Sequence, residues 1–392
     1  MQKFLQITGN NKITLRKLKS LFLLLIISVL SCNSSFAIEP QAPKLVASSY
    51  ILIDFNSNKV IAEKDSQKRI EPASLTKMMS TYVIENELRL GNIQMTDEVL
   101  ISKKAWKMPG SRMFVEVNTK VTVEKLLKGI IIQSGNDATV AMAEFIAGSE
   151  ESFASLMNEY GRQLGMKGTN FVNVTGLPHK KHYTTATDLA ILVSAMIRNF
   201  PEHYAWYSEK VFTYNGIKQF NRNKLLWQDK FVDGVKTGHT ESAGFCLAAS
   251  AVKDDMRLIS VVLGTKSERA RATESQKLLT FGFRFYETHR LYEANTSLTT
   301  AQIWKGEEEK LALGLAEDLW ITIPRGLYGS LKATMSLDSK IVAPVKQAGV
   351  YGAVDVKLEG KPFVTRDLIA LKEVREGGFV GGIIDEVKML FE

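Results

Sequence analysis

Ser74 and Lys77, in the run Ser74-Leu75-Thr76-Lys77, have the types and spacing for nucleophilic acyl transfer: a hydroxyl that attacks and an amine that takes its proton. Three residues apart on a helix, they share one face. An ammonium at its ordinary pKa accepts no proton, so Lys77 must be desolvated or set beside another cation. Lys236, in Lys236-Thr237-Gly238, can supply that second charge. Between the two lies Ser134-Gly135-Asn136, where Ser134 can relay a proton between Lys77 and a leaving amine and Asn136 can orient a substrate amide. Ser74 at the first turn of a helix offers a backbone N–H to a developing oxyanion. Gly238 lets an extended substrate lie close along the strand that ends there. Each motif alone is common, and an isolated Ser-x-x-Lys is by default a helix start with a solvated lysine. The ordered set carries the weight.

Elements must hold these residues together. Two strand-like runs, Ser48 to Phe55 and Lys59 to Glu63, flank the turn Asn56-Ser57-Asn58 and predict a hairpin. Apolar side chains recur at helical spacing from Ser74 to Arg89, with Pro72 and Ser74 as start signals. A second helix is expected over Val123 to Gln133, broken at Ser134-Gly135-Asn136 and resumed from Asp137, a good cap. Further helices are expected over Glu151 to Leu164, Thr185 to Arg198 and Arg271 to Thr288. Strand signals return at Phe231 to Lys236, Gly244 to Val252 and Met256 to Gly264. The pattern predicts an α+β domain with one antiparallel sheet, built from both chain ends and packed against helices. Past Asn295 the alternation in Leu331, Ala333, Met335 and Leu337, and in Val354, Val356 and Leu358, predicts a small all-β domain at 295–376.

The chain has 392 residues, 45% of them apolar, and a formal charge of +8. Two domains and a packed interior are expected. Lys3, Lys12, Arg16, Lys17 and Lys19 supply five of those charges, leaving +3 beyond residue 37. With no basic blocks interleaved with aromatics, nucleic acid is not an expected partner. The basic stretch to Lys19, the apolar run Leu21 to Leu30 and the small residues ending at Ala37 have the layout of a secretory signal peptide over 1–37. The apolar run is short for a membrane span. A rival reading makes Cys32 a lipidated first residue, although Leu30-Ser31 fits that pattern poorly. If Cys32 leaves with the leader, Cys246 remains as the sole thiol, without a disulfide and expected to be buried in its strand.

His179 and His182 lie in the basic run Pro178-His179-Lys180-Lys181-His182-Tyr183, which suggests a solvated loop; no metal or cofactor is expected. At the other end, Val380, Ile383, Ile384, Val387, Leu390 and Phe391 share one helical face, so residues 377–392 are expected to form an amphipathic helix able to lie in a membrane interface.

The three motifs occur together in penicillin-binding proteins and serine β-lactamases. With Gln133 to Asp137, Asp233 to Thr240 and Leu279 to Phe285, nearly the whole chain from residue 38 resembles the low-molecular-mass penicillin-binding proteins that are serine-type D-alanyl-D-alanine carboxypeptidases. The resemblance implies a serine β-lactamase/transpeptidase-like domain over 38–294, a β domain and a membrane-associating tail. It implies an exported, periplasmic enzyme attached peripherally to the outer face of the cytoplasmic membrane. Such an enzyme trims peptidoglycan stem peptides in wall maturation and cell-shape control, and β-lactams acylate it. Carried over by position, the nucleophile falls on Ser74, its base on Lys77, the second serine on Ser134 beside Asn136, and substrate binding on Lys236 and Gly238. An oxyanion N–H falls on His239, and recognition of the substrate's terminal carboxylate on Thr237 and Arg222, with Arg271 a weaker candidate for that neighbourhood. Two departures stand out: the stretch Ala105 to Arg112 is shorter than expected, and Thr175 stands where the pattern has histidine.

Three other functions compete. A serine β-lactamase would need a base for deacylation, and Phe171 to Asp188 contains no glutamate. A wall-binding protein without activity is disfavoured by the complete motif set. An endopeptidase would use the same groups.

Overall fold

Residues 40–378, with 382, 385 and 386, are described by the computed structural model. The expected leader over 1–37 and most of the tail helix lie outside them. The described residues from Ala42 onward belong to one unit. Its first domain is organised by a five-stranded antiparallel sheet: β1 (Ser49–Asp54), β2 (Val60–Lys64), β3 (Val232–Thr240), β4 (Gly244–Lys253) and β5 (Met256–Thr265), in the order β2-β1-β5-β4-β3. Chain-end strands thus meet in the middle, where Leu52 pairs with Ser260.

The period of two sorts this sheet into two cores. Ile51, Ile53, Ala248, Ile259, Val261 and Leu263 face one, while Leu52, Leu247, Ala249, Leu258 and Val262 face the other. Both faces are covered, which is why the central strands are almost uniformly apolar. Helix α1 (Thr76–Arg89) packs on the first face through Met78, Met79, Val83 and Ile84, and is preceded by a 3-10 turn, Ala73–Leu75, that carries Ser74. The second expected helix divides: α2 (Val123–Lys128) gives way to a π turn, Gly129–Gln133, which ends on Ser134 in the left-handed region at φ 66°. The chain resumes as α3 (Asn136–Ala147), α4 (Glu150–Gln163) and α5 (Ala186–Asn199). Asp137 does not cap α3, since that position is taken by Gly135. On the opposite face lies α6 (Glu268–Phe285), with Leu278, Leu279 and Phe281 inward. It stops short of Thr288 because Tyr286 turns extended to start β6 (Tyr286–Tyr292).

The second domain is all β. β6 pairs with β9 (Leu319–Pro324), and a six-stranded sheet runs, in spatial order, β10 (Leu331–Leu337), β12 (Val350–Leu358), β13 (Lys361–Ala370), β8 (Lys310–Gly314), β7 (Thr299–Trp304) and β11 (Ile341–Val342). The two alternating runs seen in the sequence are neighbours, Ala333 opposite Val356. Val354 and Val356 enter the core, whereas Ala333 and Leu337 on the edge strand are exposed.

The domains meet through hydroxyls around a buried carboxylate. Asp54 accepts from Ser57 N at 2.8 Å, Ser57 Oγ at 2.9 Å and Thr288 Oγ1 at 2.8 Å, and Thr322 Oγ1 lies 2.6 Å from Ser57 Oγ.

Candidate active site

Ser74 is partly exposed on its 3-10 turn, while Lys77, one residue into α1, is 0% exposed. Lys77 Nζ lies 3.2 Å from Ser74 Oγ and donates to the Thr175 carbonyl at 2.6 Å. Burial, followed by repulsion from the Arg222 guanidinium and opposed by the Asp137 carboxylate, lowers the Lys77 pKa from its ordinary 10.5 to about 7. An amine with this pKa is substantially neutral near pH 7 and can accept the Ser74 proton.

Lys236 is likewise buried, and its Nζ bonds the Thr237 carbonyl at 3.0 Å. Its pKa falls well below the ordinary value, first through burial and then through the charges of Lys77, Arg222 and Arg271. The positive charge of Lys77 disfavours a charged Lys236, and the Arg222 guanidinium lowers the pKa of both lysines. Two buried lysines share this site, each disfavouring the other's charged form, an arrangement that an anion would relieve.

Ser134 and Asn136 lie at the break between the π turn and α3. Ser134 Oγ and Asn136 Oδ1 are both buried and have no hydrogen-bond partner. Asn136 Nδ2 donates to the Pro109 carbonyl at 2.6 Å. Asp137, missed as a functional residue, holds the facing segment: its carboxylate accepts from Met113 N at 2.9 Å, Phe114 N at 2.8 Å and Val115 N at 3.2 Å. A left-handed non-glycine residue and a π turn beside unsatisfied polar atoms are features that concentrate at functional sites.

Gly238 brings β3 against the Ser74 turn; a Cβ there would stand 3.0 Å from the Pro72 carbonyl oxygen and 3.2 Å from Ala73 Cβ. Thr237 is buried beside it, and the next residue, His239, is exposed with its ring stacked on Phe245. Arg222 is exposed but near enough to act electrostatically on both lysines. Arg271 is buried, donates to the Gly238 carbonyl at 3.2 Å and lies over the Phe245 ring. Lys77, Lys236 and Gly238 thus gather around the Ser74 turn, with Arg271 supporting the strand from within. Cys246 is buried in β4 with its thiol pKa raised to about 11 by burial, consistent with an inert core residue.

The loop Phe171–Thr184 forms another wall, and here the sequence reading fails. His182 is not solvated: it is 1% exposed, with Nε2 at 2.7 Å from Thr76 Oγ1 and Nδ1 accepting from Val172 N at 3.0 Å. Its pKa falls from 6.5 to about 4, through burial first and then the charges of His179 and Lys77. His179 remains on the exposed side. A Cβ on Gly176, whose φ is 87°, would fall 1.7 Å from the Ala73 carbonyl oxygen, so the loop sits flush on the Ser74 turn. Among the described residues, no group of three or more His, Cys, Asp and Glu side chains could hold a metal ion.

A transpeptidase-like domain carrying a serine set beside a buried lysine, with a β domain appended, is the class that this fold and site define. The chain belongs to the D-alanyl-D-alanine carboxypeptidase family, which it matches over residues 36–267; residues 286–376 match the penicillin-binding protein 5 C-terminal domain. It is 45% identical over 360 residues to the D-alanyl-D-alanine carboxypeptidase DacA of Escherichia coli (strain K12), covering 90% of this chain and 89% of the relative. The crystal structure of penicillin-binding protein 5 from Haemophilus influenzae superposes with a TM-score of 0.83 at 42% identity, over 86% of this chain and 100% of that one. Penicillin-binding protein D2 of Listeria monocytogenes in its ampicillin-bound form gives 0.57 at 26% identity, over 62% of this chain and 100% of that one.

Proposed function

We propose that the protein is a serine-type D-alanyl-D-alanine carboxypeptidase that removes the terminal D-alanine from peptidoglycan stem pentapeptides. The observation that carries this reading is the contact between buried Lys77, with its pKa near 7, and Ser74 Oγ at 3.2 Å. Family membership supplies the substrate class.

The substrate strand lies along β3, and its terminal carboxylate meets Lys236, Thr237 and Arg222. That anion restores Lys236 to its charged form and offsets the repulsion that Lys236 bears when the pocket is empty. Lys77 takes the Ser74 hydroxyl proton as Oγ bonds to the carbonyl carbon of the penultimate D-alanine. The oxyanion is met by the Ser74 and His239 backbone N–H groups. The C–N bond then breaks, and the leaving D-alanine nitrogen receives the proton from Lys77 through Ser134, while Asn136 orients the peptide amide. Water attacks the ester, gives a proton to Lys77, and the carboxylate product departs as that proton returns to Ser74. β-Lactams acylate the same oxygen, a reading supported by the ampicillin-bound relative.

Export through the segment 1–37 places the enzyme in the periplasm, and the tail 377–392 rests on the outer face of the cytoplasmic membrane. No helix among the described residues is long and apolar enough to cross a membrane. Sedimentation of the full chain with phospholipid vesicles, lost on removal of residues 377–392, tests the tail; equal sedimentation without it rejects that role. The activity is tested by release of D-alanine from diacetyl-L-Lys-D-Ala-D-Ala. Release by the wild type and none by Ser74→Ala is expected; release by both rejects the proposal.

A further inference from the structure

We infer that His182 is a positioning residue for the reaction: it ties the loop Phe171–Thr184 to the catalytic turn, so that the Thr175 carbonyl holds and covers Lys77 Nζ. The inference rests on the reading of Lys77 as the base for Ser74.

Hydrogen-bond logic fixes the state of the ring. Val172 N–H donates to Nδ1 at 3.0 Å, so Nδ1 carries no proton. A neutral imidazole then bears its hydrogen on Nε2 and must donate from there, and the atom in reach is Thr76 Oγ1 at 2.7 Å. Thr76 immediately precedes Lys77 in α1. One side chain therefore joins the backbone near the start of the loop to the residue beside the base. The ring is buried and packs edge-on against Phe171, with centroids 5.8 Å apart.

The other anchors explain why this one matters. Asn173 Oδ1 accepts from Thr175 N at 3.2 Å and Gly176 N at 2.7 Å, which shapes the turn internally. Thr184 exchanges backbone bonds with Ile70 at 2.8 and 2.9 Å, which ties the loop's far end to the segment leading into the catalytic turn. Val174 O accepts from Ser80 Oγ at 2.7 Å, one turn further along α1. Asn158 holds Phe171 through both backbone groups, at 2.7 and 2.8 Å, and His182 adds the one bond that reaches Thr76, the residue beside Lys77. Without it the Thr175 carbonyl loses its fixed place over Lys77, water reaches the amine, and the burial that lowers its pKa is relaxed.

The electrostatic surroundings agree with a neutral tie. Lys77 and His179 face His182 and disfavour its imidazolium, while Arg222, Asp137 and Lys236 act on or around Lys77. Protonation at Nδ1 would leave Val172 N–H facing a second donor and place a new cation beside the base.

The test measures the rate of acylation by a fluorescent penicillin across about pH 5 to 10, with unfolding midpoints recorded for every variant. The proteins are the full-length wild type, His182→Leu, His182→Gln, Thr76→Val, the Leu/Val double variant and Ser74→Ala. His182→Leu is expected to slow acylation at pH 7 at least about tenfold, as misplacement of a catalytic group does. Its acid limb should move upward by about one pH unit or more, as the amine regains solvent. Glutamine keeps one donor and one acceptor, so His182→Gln should retain the wild-type limb and a rate within about threefold. Thr76→Val should move the limb as His182→Leu does, and the double variant should be no worse than either; it also carries the test should His182→Leu not fold. An unmoved limb in the variants lacking the bond, or a His182→Gln protein as slow as His182→Leu, overturns the inference. Labelling of Ser74→Ala would instead overturn the Ser74 reading on which it stands.

Discussion

Lys77 Nζ is hydrogen-bonded to the main-chain carbonyl of Thr175 at 2.6 Å, so the facing loop holds the amine with a neutral acceptor. A carbonyl orients an amine without stabilising its charge as a carboxylate would. The arrangement keeps Lys77 aimed at Ser74 while burial and Arg222 lower its pKa to about 7.

The acylation rate should therefore rise with pH through an acid limb centred near 7, the pH at which Lys77 loses its proton. Lys77→Arg keeps a cation that does not titrate and should lower the rate by about a thousandfold or more, without a limb. Stopped-flow acylation against pH checks both.

The same pKa carries a stability cost with a definite sign. The unfolded chain, with a lysine pKa of 10.5, binds a proton more readily than the folded one at about 7. The cost is absent well above pH 10.5 and grows as pH falls toward 7. Lys77→Met should therefore be inactive yet more stable than wild type near pH 7.5. The expected gain is about 1–3 kcal/mol once the lost partner of the Thr175 carbonyl is counted. Urea unfolding at that pH, with the advantage shrinking above pH 10, is the measurement.

His182 adds a second pH dependence on the acid side. Its folded pKa of about 4 lies below the unfolded 6.5, so the unfolded state takes up the proton first and stability declines as pH falls from 6.5 to 4. About 3 kcal/mol is lost across that window. His182→Gln should lack this component, so its stability curve should cross that of the wild type as the pH is lowered.

Gly176 is constrained twice, by its φ of 87° and by the Ala73 carbonyl oxygen that a Cβ would approach at 1.7 Å. Gly176→Ala must move either the loop or the Ser74 turn, at a cost of about 3 kcal/mol or more. It should lose both thermal stability and penicillin labelling.

Asp54 offers a contrast, because it joins the two domains and touches neither Ser74 nor Lys77. Asp54→Ala removes the acceptor shared by Ser57 N–H, Ser57 Oγ and Thr288 Oγ1, leaving the two hydroxyls only Thr322 as an acceptor, and should cost about 1–3 kcal/mol. The acylation rate of the folded protein should stay within about twofold of wild type, since no group of the catalytic cluster is altered.

Contiguous features were legible in the sequence. Ser74 and Lys77 are one turn apart, and the sheet strands announce themselves because both of their faces are buried. Legibility failed where the decisive partner is distant. His182 sits beside two lysines and looks solvated, yet its ring is buried against Thr76, 106 positions away. Asp137 has the residue type of a cap, but its carboxylate serves Met113, Phe114 and Val115. Apolar spacing through Phe281, Phe283 and Phe285 gives no sign that Tyr286 leaves the helix, because the aromatic run continues into β6. Likewise the charge of Arg222 reaches Lys77 through space, and only the folded chain brings the two together.

The central claim is that a single acyl ester forms on Ser74 with Lys77 as base. Mass spectrometry of the full chain after brief exposure to benzylpenicillin tests it most directly. One adduct is expected per wild-type chain, mapped to the peptide that contains Ser74, with none on Ser74→Ala and far slower formation on Lys77→Arg. An adduct mapped elsewhere, or one that forms on Lys77→Arg at the wild-type rate, would contradict it.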